Sequence, residues 1–309
     1  MKALYFGTYD RGHPRNVNAI AALRTAGVEV VERQAPIRGH GVRGAFSVFG
    51  AETRLLAPKG SDFDVVIVGY PGHFDVPRAR RIARKKPLVF DAVLSLEDEL
   101  IAVRRRFRDR SAAATVLRAV DYRALRLPNL VVCGTDAEAR YLEELGAKKT
   151  ASVFLGADED VFCETWSPTY PFSAVHFADD PVVGQTDASI PIEVSEADDR
   201  SLAVAHAGIV LGSFRESRAI PAIVFEACAT GAPVVTGDTD AARELLTDGD
   251  SALLVPVESP GALGEAIDRL AQDEGLRARI AERGREVFRE RASREVLGAR
   301  WRALLAETL

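Results

Sequence analysis

Short continuous apolar runs alternate along this chain with longer stretches whose apolar positions recur at helical spacing. The runs at residues 3–6, 28–31, 65–68, 88–90, 130–133 and 151–154 predict strands in the first half. Runs at 173–177, 190–194, 208–211, 233–236 and 252–255 predict strands in the second. Between them, Ile20, Leu23 and Arg24 followed by Gly27 read as a helix and its stop. Glu138, Tyr141, Leu142 and Leu145 closed by Gly146 repeat that reading. Ser259-Pro260 reads as N-cap and first helical residue, with Leu263, Ala266, Ile267 and Leu270 on one face. A last helix from about Ser293 carries Val296, Leu297, Trp301, Leu304 and Leu305 as its stripe.

Strands alternating with helices predict an α/β protein of βαβ units, with two Rossmann-like doubly wound domains. The expected division is 1–165, 166–290 and a C-terminal helix at 291–309 that packs back toward the N-terminal domain. Residues 163–170, with Pro168, read as the linker. In such sheets ligands bind beyond the carboxyl ends of the strands.

Composition sharpens this picture in two places. The 309 residues carry a net charge of −5, but the two halves differ in sign. Residues 1–165 hold 26 Lys and Arg against 21 Asp and Glu, whereas 166–309 hold 14 against 24. No lysine follows Lys149. Cys133, Cys163 and Cys228 are far apart without a C-x-x-C pair, which reads as three buried thiols in a reducing cytoplasm. No apolar run approaches the roughly 20 residues that span a bilayer, and the N-terminal apolar run is too short for a signal peptide. The motifs G-x-x-x-x-G-K-[ST], H-E-x-x-H and G-x-S-x-G are absent, and the histidines show no metal-ligand spacing. Phosphate-loop, zinc-protease and serine-hydrolase chemistries, and any bound metal, therefore drop out of the expectation.

The informative stretch runs from Pro221 through Glu226-Ala227-Cys228-Ala229-Thr230-Gly231-Ala232-Pro233-Val234-Val235. It continues through Glu244-Leu245-Leu246-Thr247-Asp248-Gly249 to Leu253-Leu254-Val255. This closely resembles the donor-site segment of the retaining family-four, or group 1, glycosyltransferases of GT-B fold. That family writes P-x-x-x-x-E-A-x-A-x-G-x-P-V-V, then E-L-x-x-D-G-x-x-G-x-L-V. In the first half, Gly156-Ala157-Asp158 with Phe162 resembles the turn that ends the family's first domain, and the opening through Asn16 looks like a bacterial branch of the family. The resemblance implies a hexosyltransferase-type enzyme taking a sugar from a nucleotide-diphosphate donor, with retention and without a cofactor. The first domain would be the acceptor side and the second the nucleotide-sugar side. The acceptor is left open, and in this family is often membrane-attached.

The resemblance assigns Glu226 to the ribose hydroxyls and the backbone N–H groups of Ala222, Ile223 and Val224 to the diphosphate. A helix N-terminus offers unpaired donors and a positive dipole for that purpose. A first-turn glutamate stabilising its own helix is the plainer role for Glu226. Gly7, in the loop Gly7-Thr8-Tyr9-Asp10 after the first strand, stands where the family keeps an acceptor-side loop and is also counted among the donor contacts.

Two departures stand out. Where the family has a Glu eight residues before Glu226, this chain has Arg218. Where the family opens its second domain with Gly-Arg and a nearby Lys, this chain has Ala178-Asp179-Asp180-Pro181. The interval from Gly184 to Gly208 holds 23 residues, too few for the family's helix, strand and second helix, so the second domain is expected to be reduced by about one βαβ repeat. A departing diphosphate needs cations. Arg218 and Arg215 are the candidates, against exposed loop arginines without a ligand.

His73 follows a strand's carboxyl end and is a catalytic candidate, or a loop histidine with a structural bond. Asp91, with Asp98 behind it, is a second candidate, or an N-cap. The basic clusters at 78–86 and 104–110 fit peripheral contact with an anionic membrane, or solvated helix faces. Nucleic acid is not expected, because interleaved aromatics are missing. The competing function is a non-catalytic relative that keeps the fold and serves as a nucleotide-binding or interaction module.

Overall fold

The computed structural model describes residues 1–35, 62–93, 111–177, 180–195 and 199–309. Asp98, Asp179 and the basic run at 104–110 lie outside the described residues. The chain divides into two compact units, one of Met1–Phe154 with Gly298–Leu309, the other of Leu155–Leu297.

In the first unit, β1 (Lys2–Gly7), β2 (Glu29–Gln34), β3 (Val65–Val68), β4 (Leu88–Asp91), β5 (Leu130–Cys133) and β6 (Thr150–Ser152) form one sheet. The order is β2-β1-β3-β4-β5-β6, with every pairing parallel. Among the described residues, helices α1 (Pro14–Thr25), α2 (Val76–Ala83), α3 (Ala112–Arg126) and α4 (Asp136–Glu144) follow β1, β3, β4 and β5. The register explains the core. Phe6 pairs with Val68, Val68 with Phe90 and Phe90 with Val131, so one row of large side chains crosses four strands on one face. All are buried. Each such burial contributes about 1.5–3 kcal/mol. Thr135 and Glu138 form a reciprocal capping box at the start of α4.

In the second unit, β7 (Ala174–His176), β8 (Ile192–Val194), β9 (Ile209–Leu211), β10 (Val234–Gly237) and β11 (Leu253–Val255) form a second parallel sheet. Its order is β11-β10-β9-β7-β8. The helices are α5 (Pro181–Gly184), α6 (Arg200–His206), α7 (Ala222–Thr230), α8 (Asp240–Leu245), α9 (Pro260–Gln272) and α10 (Glu274–Arg291). Leu263, Ile267 and Leu270 of α9 cover Leu211, Val235 and Leu253, as their helical spacing predicts. Ser259 stands at the N-cap of α9 but makes no side-chain capping bond. Residues 163–170, expected as a linker, lie within this unit, where Trp166 donates its ring N–H to Ala207 O at 2.7 Å.

The last helix, α11 (Arg294–Thr308), begins in the second unit and runs into the first. In the first unit Trp301 is buried, and a Cβ on Gly298 would lie 2.4 Å from Ala22 O. That backbone approach requires glycine.

Candidate functional site

The strand order locates a site before any side chain is considered. In the second sheet the chain runs outward from β7 to β8 on one side and from β9 to β11 on the other. The order reverses between β7 and β9, and a crevice at the carboxyl ends beside such a reversal is where open α/β sheets hold ligands. His176, the last residue of β7, donates from Nε2 to Gly212 O at 3.0 Å, just beyond β9. Phe177 follows it.

Asp180 is buried. Its Oδ1 accepts from Val182 N at 3.0 Å and its Oδ2 from Phe214 N at 3.3 Å. The Arg215 Nε lies 3.9 Å from Oδ1. One carboxylate thus caps a short helix and ties the β7 loop to the β9 loop, so its charge is spent on backbone donors within the unit.

The β9 loop leads through exposed Arg215 and Arg218 to α7. Pro221 is the N-cap residue of α7 and supplies no side-chain bond. The N–H groups of Ala222 and Ile223 are therefore left without a side-chain cap, while Val224 N donates to Pro221 O at 3.0 Å. The helix ends on Gly231 at φ 80°, the left-handed turn in which its N–H reaches Ala227 O.

Glu226 is the fifth residue of α7, past the first turn where it would stabilise its own helix, and is 6% exposed. Arg200, at the start of α6, donates its Nε–H to Glu226 Oε2 at 2.7 Å. The same guanidinium lies 4.9 Å from the Phe177 ring centre. Burial pushes the Glu226 carboxyl above its ordinary value, and the Arg200 charge and hydrogen bond pull it part of the way back. Glu226 Oε1 takes no hydrogen bond from a described residue. An ionisable acceptor, an uncapped helix end and loop arginines thus stand at one edge of one sheet. That set can receive hydroxyls and a polyanion.

The first unit holds the other candidates. Gly7 has φ 137°, and a Cβ there would lie 2.8 Å from Asp75 Oδ2. That oxygen accepts from Thr8 N at 2.7 Å and Thr8 Oγ1 at 2.9 Å. His73 is 1% exposed, edge-on to Phe90 with ring centres 4.9 Å apart, and its Nε2 lies 3.6 Å from Asp121 Oδ1. Asp91 is fully buried and bonded to Arg15. Neither side chain presents surface to a ligand. The structure therefore gathers Arg215, Arg218, Ala222, Ile223, Val224 and Glu226 in one region, and places Gly7, His73 and Asp91 in the other unit. Arg200 and Phe177 carry no sequence signal, because Arg200 meets its partner 26 residues away only through the packing of α6 on α7.

Residues 202–287 match the family model described as glycosyl transferases group 1. This group 1 segment contains Arg215, Arg218 and Glu226, and Arg200 stands just ahead of it. The lipopolysaccharide core biosynthesis glycosyltransferase LpsE of Rhizobium meliloti is 32% identical over 84 residues, 27% of this chain and 25% of that protein. The phosphatidyl-myo-inositol mannosyltransferase of Mycobacterium leprae is 40% identical over 67 residues, 22% of this chain and 18% of that protein. The matching stretch thus spans a quarter or less of these relatives. Similarity of fold extends much further. Anabaena Alr3699/HepE, solved with UDP and glucose, aligns over 99% of this chain and 100% of its own, with TM-score 0.67 and 17% identity. Sucrose-phosphate synthase from Thermosynechococcus elongatus covers 99% of this chain and 98% of its own, with TM-score 0.71 and 14% identity. The fold is mixed α/β with two parallel sheets, as in GT-B glycosyltransferases. Among the described residues no helix is long and apolar enough to cross a membrane.

Proposed function

We propose that this chain is a retaining glycosyltransferase of the group 1 type, which moves a sugar from a nucleoside diphosphate sugar to an acceptor. Glu226 carries the reading. It is a nearly buried carboxylate with Oε1 left for a ligand, within the matched segment, at the strand-order reversal of the second sheet. In this reading Glu226 accepts the ribose hydroxyls. The uncapped N-terminus of α7 receives the diphosphate, and Arg218 and Arg215 supply the positive charge that no lysine in the second half provides. Asp91 and His73 act as supports of the first unit rather than as contacts to substrate, given their burial.

The second domain is read as one repeat short, since among the described residues one strand and one short helix stand between Gly184 and Ile209. The basic face with Arg78, Arg81 and Lys85 is the part of the first unit that would meet an anionic membrane surface. Because HepE was solved with UDP and glucose, UDP-glucose heads the donors to test. The experiment is nucleotide release from a panel of UDP-, GDP- and ADP-sugars, with product anomers assigned by NMR. Turnover of at least one donor, lost in Glu226→Ala, supports the reading. No release from any donor and no nucleotide binding overturn it.

A further inference from the structure

We propose that Arg200 is the positioning residue that aims the Glu226 carboxylate at the ribose of the donor, so that recognition of the ribose hydroxyls depends on Arg200. This inference rests on the proposed function and adds a residue that lies outside the matched segment.

Three observations carry it. The first is the division of labour within the carboxylate. Arg200 Nε occupies Oε2 at 2.7 Å, while Oε1 takes no bond from a described residue. A carboxylate held by one oxygen has its second oxygen fixed in direction. An acceptor fixed before the ligand arrives spares the cost of ordering it on binding. The second is that Arg200 is itself held. Its guanidinium lies 4.9 Å from the Phe177 ring centre, and α6, on which it sits, is capped by Asp199 accepting from Leu202 N at 3.2 Å. The cation is thus braced from the end of β7 on one side and bonded to α7 on the other. The third is exposure. The Arg200 side chain is 41% exposed and that of Glu226 is 7% exposed, so the pair sits at a surface opening with the carboxylate on the inner side. A ligand reaching Oε1 meets a partly desolvated acceptor, where a hydrogen bond to charge counts for more than in water.

A purely structural ion pair would hold α6 against α7 and leave nucleotide selectivity untouched. The two roles separate on the sugar, because 2′-deoxyribose lacks one of the hydroxyls that Oε1 would accept. UDP, GDP and ADP and their 2′-deoxy forms are titrated by calorimetry into the wild type, Arg200→Ala, Arg200→Lys and Phe177→Leu, with thermal unfolding recorded for each. The wild type is expected to favour the ribonucleotide. Arg200→Ala should lower that preference about tenfold, the effect of one hydrogen bond to a charged group, with a smaller loss of affinity for the 2′-deoxy form, which keeps the 3′-hydroxyl. Arg200→Lys should restore part of the preference, and Phe177→Leu should weaken it with the pair still present.

Equal loss for ribo- and deoxyribonucleotides in Arg200→Lys and Phe177→Leu, both folded, overturns the positioning role and leaves the proposed function standing. A wild type that binds ribo- and deoxyribonucleotides alike overturns it too. Absence of any nucleotide binding by the wild type overturns the proposed function, and this inference with it.

Discussion

Arg15 donates its Nε–H to Asp91 Oδ1 at 2.8 Å, joining the first helix of the chain to the carboxyl end of β4. The Arg15 Nη1 also donates to Val153 O at 2.6 Å, and Arg15 Cζ lies 6.0 Å from the Trp301 ring centre. Both members of the ion pair are essentially unexposed, at 2% and 0%. Burial pushes the Asp91 carboxyl up, and Arg15 opposes that shift. One cation therefore links α1, β4, the end of β6 and α11 within the first unit.

Removing one partner leaves an uncompensated buried charge. Arg15→Met should destabilise the first unit by about 3–5 kcal/mol, and Arg15→Met combined with Asp91→Leu should recover much of that loss. Denaturant unfolding of the two variants checks this. An additive double variant would show that the charges are not coupled.

Glu226→Ala should weaken UDP binding by about 1.5–3 kcal/mol, the range for a hydrogen bond to a charged group. Calorimetry measures the affinity, and an unchanged value with intact fold would remove Glu226 from the site.

The same carboxyl predicts a pH dependence. Burial raises it above its ordinary value of 4.5, and Arg200 is the charged group that opposes the rise. A protonated carboxyl cannot accept both hydroxyls, so ribonucleotide affinity should fall as pH drops through this raised pKa, before ordinary carboxylates titrate. The folded state holds this proton more tightly than the unfolded chain does. The stability contributed by Glu226 is therefore present below the unfolded pKa and lost as pH rises through the folded one. Glu226→Gln should abolish both dependences. Affinity and unfolding midpoints measured from about pH 4 to 7 test them.

Arg218→Ala should weaken UDP much more than uridine, because only UDP carries the charge that the guanidinium grips. Arg218→Lys should recover part, since one ammonium cannot reproduce a bidentate grip. Parallel titrations with both ligands decide the point. Equal losses would assign Arg218 to holding the loop between β9 and α7.

Much of the fold was legible without coordinates. Among the described residues the eleven strands appear close to the runs that announce them, and β3, β5 and β9 are continuously apolar because both of their faces are buried. Gly27 and Gly146 end their helices at φ 76° and 110°, a conformation that side chains resist. The apolar stripe of the last helix, with Trp301 at its centre, was visible from its spacing alone. So was the segment around Glu226, whose residue order is carried by one continuous stretch of chain.

What only tertiary structure decided is who meets whom across the sequence. A run of residues states that Asp91 ends a strand, but not that Arg15 lies against it 76 positions away. It states that Asp180 replaces a basic position, but not that its two oxygens are taken by the N–H groups of Val182 and Phe214. It leaves Arg200 unmarked, since its bond to Glu226 exists only once α6 packs beside α7. Local patterns determine elements because hydrogen bonding and burial within an element repeat with its own period. Partners of buried charge obey no such period. They are selected by strand order and helix packing, so the chemistry of this site became readable only when distant elements were brought to one edge of the sheet.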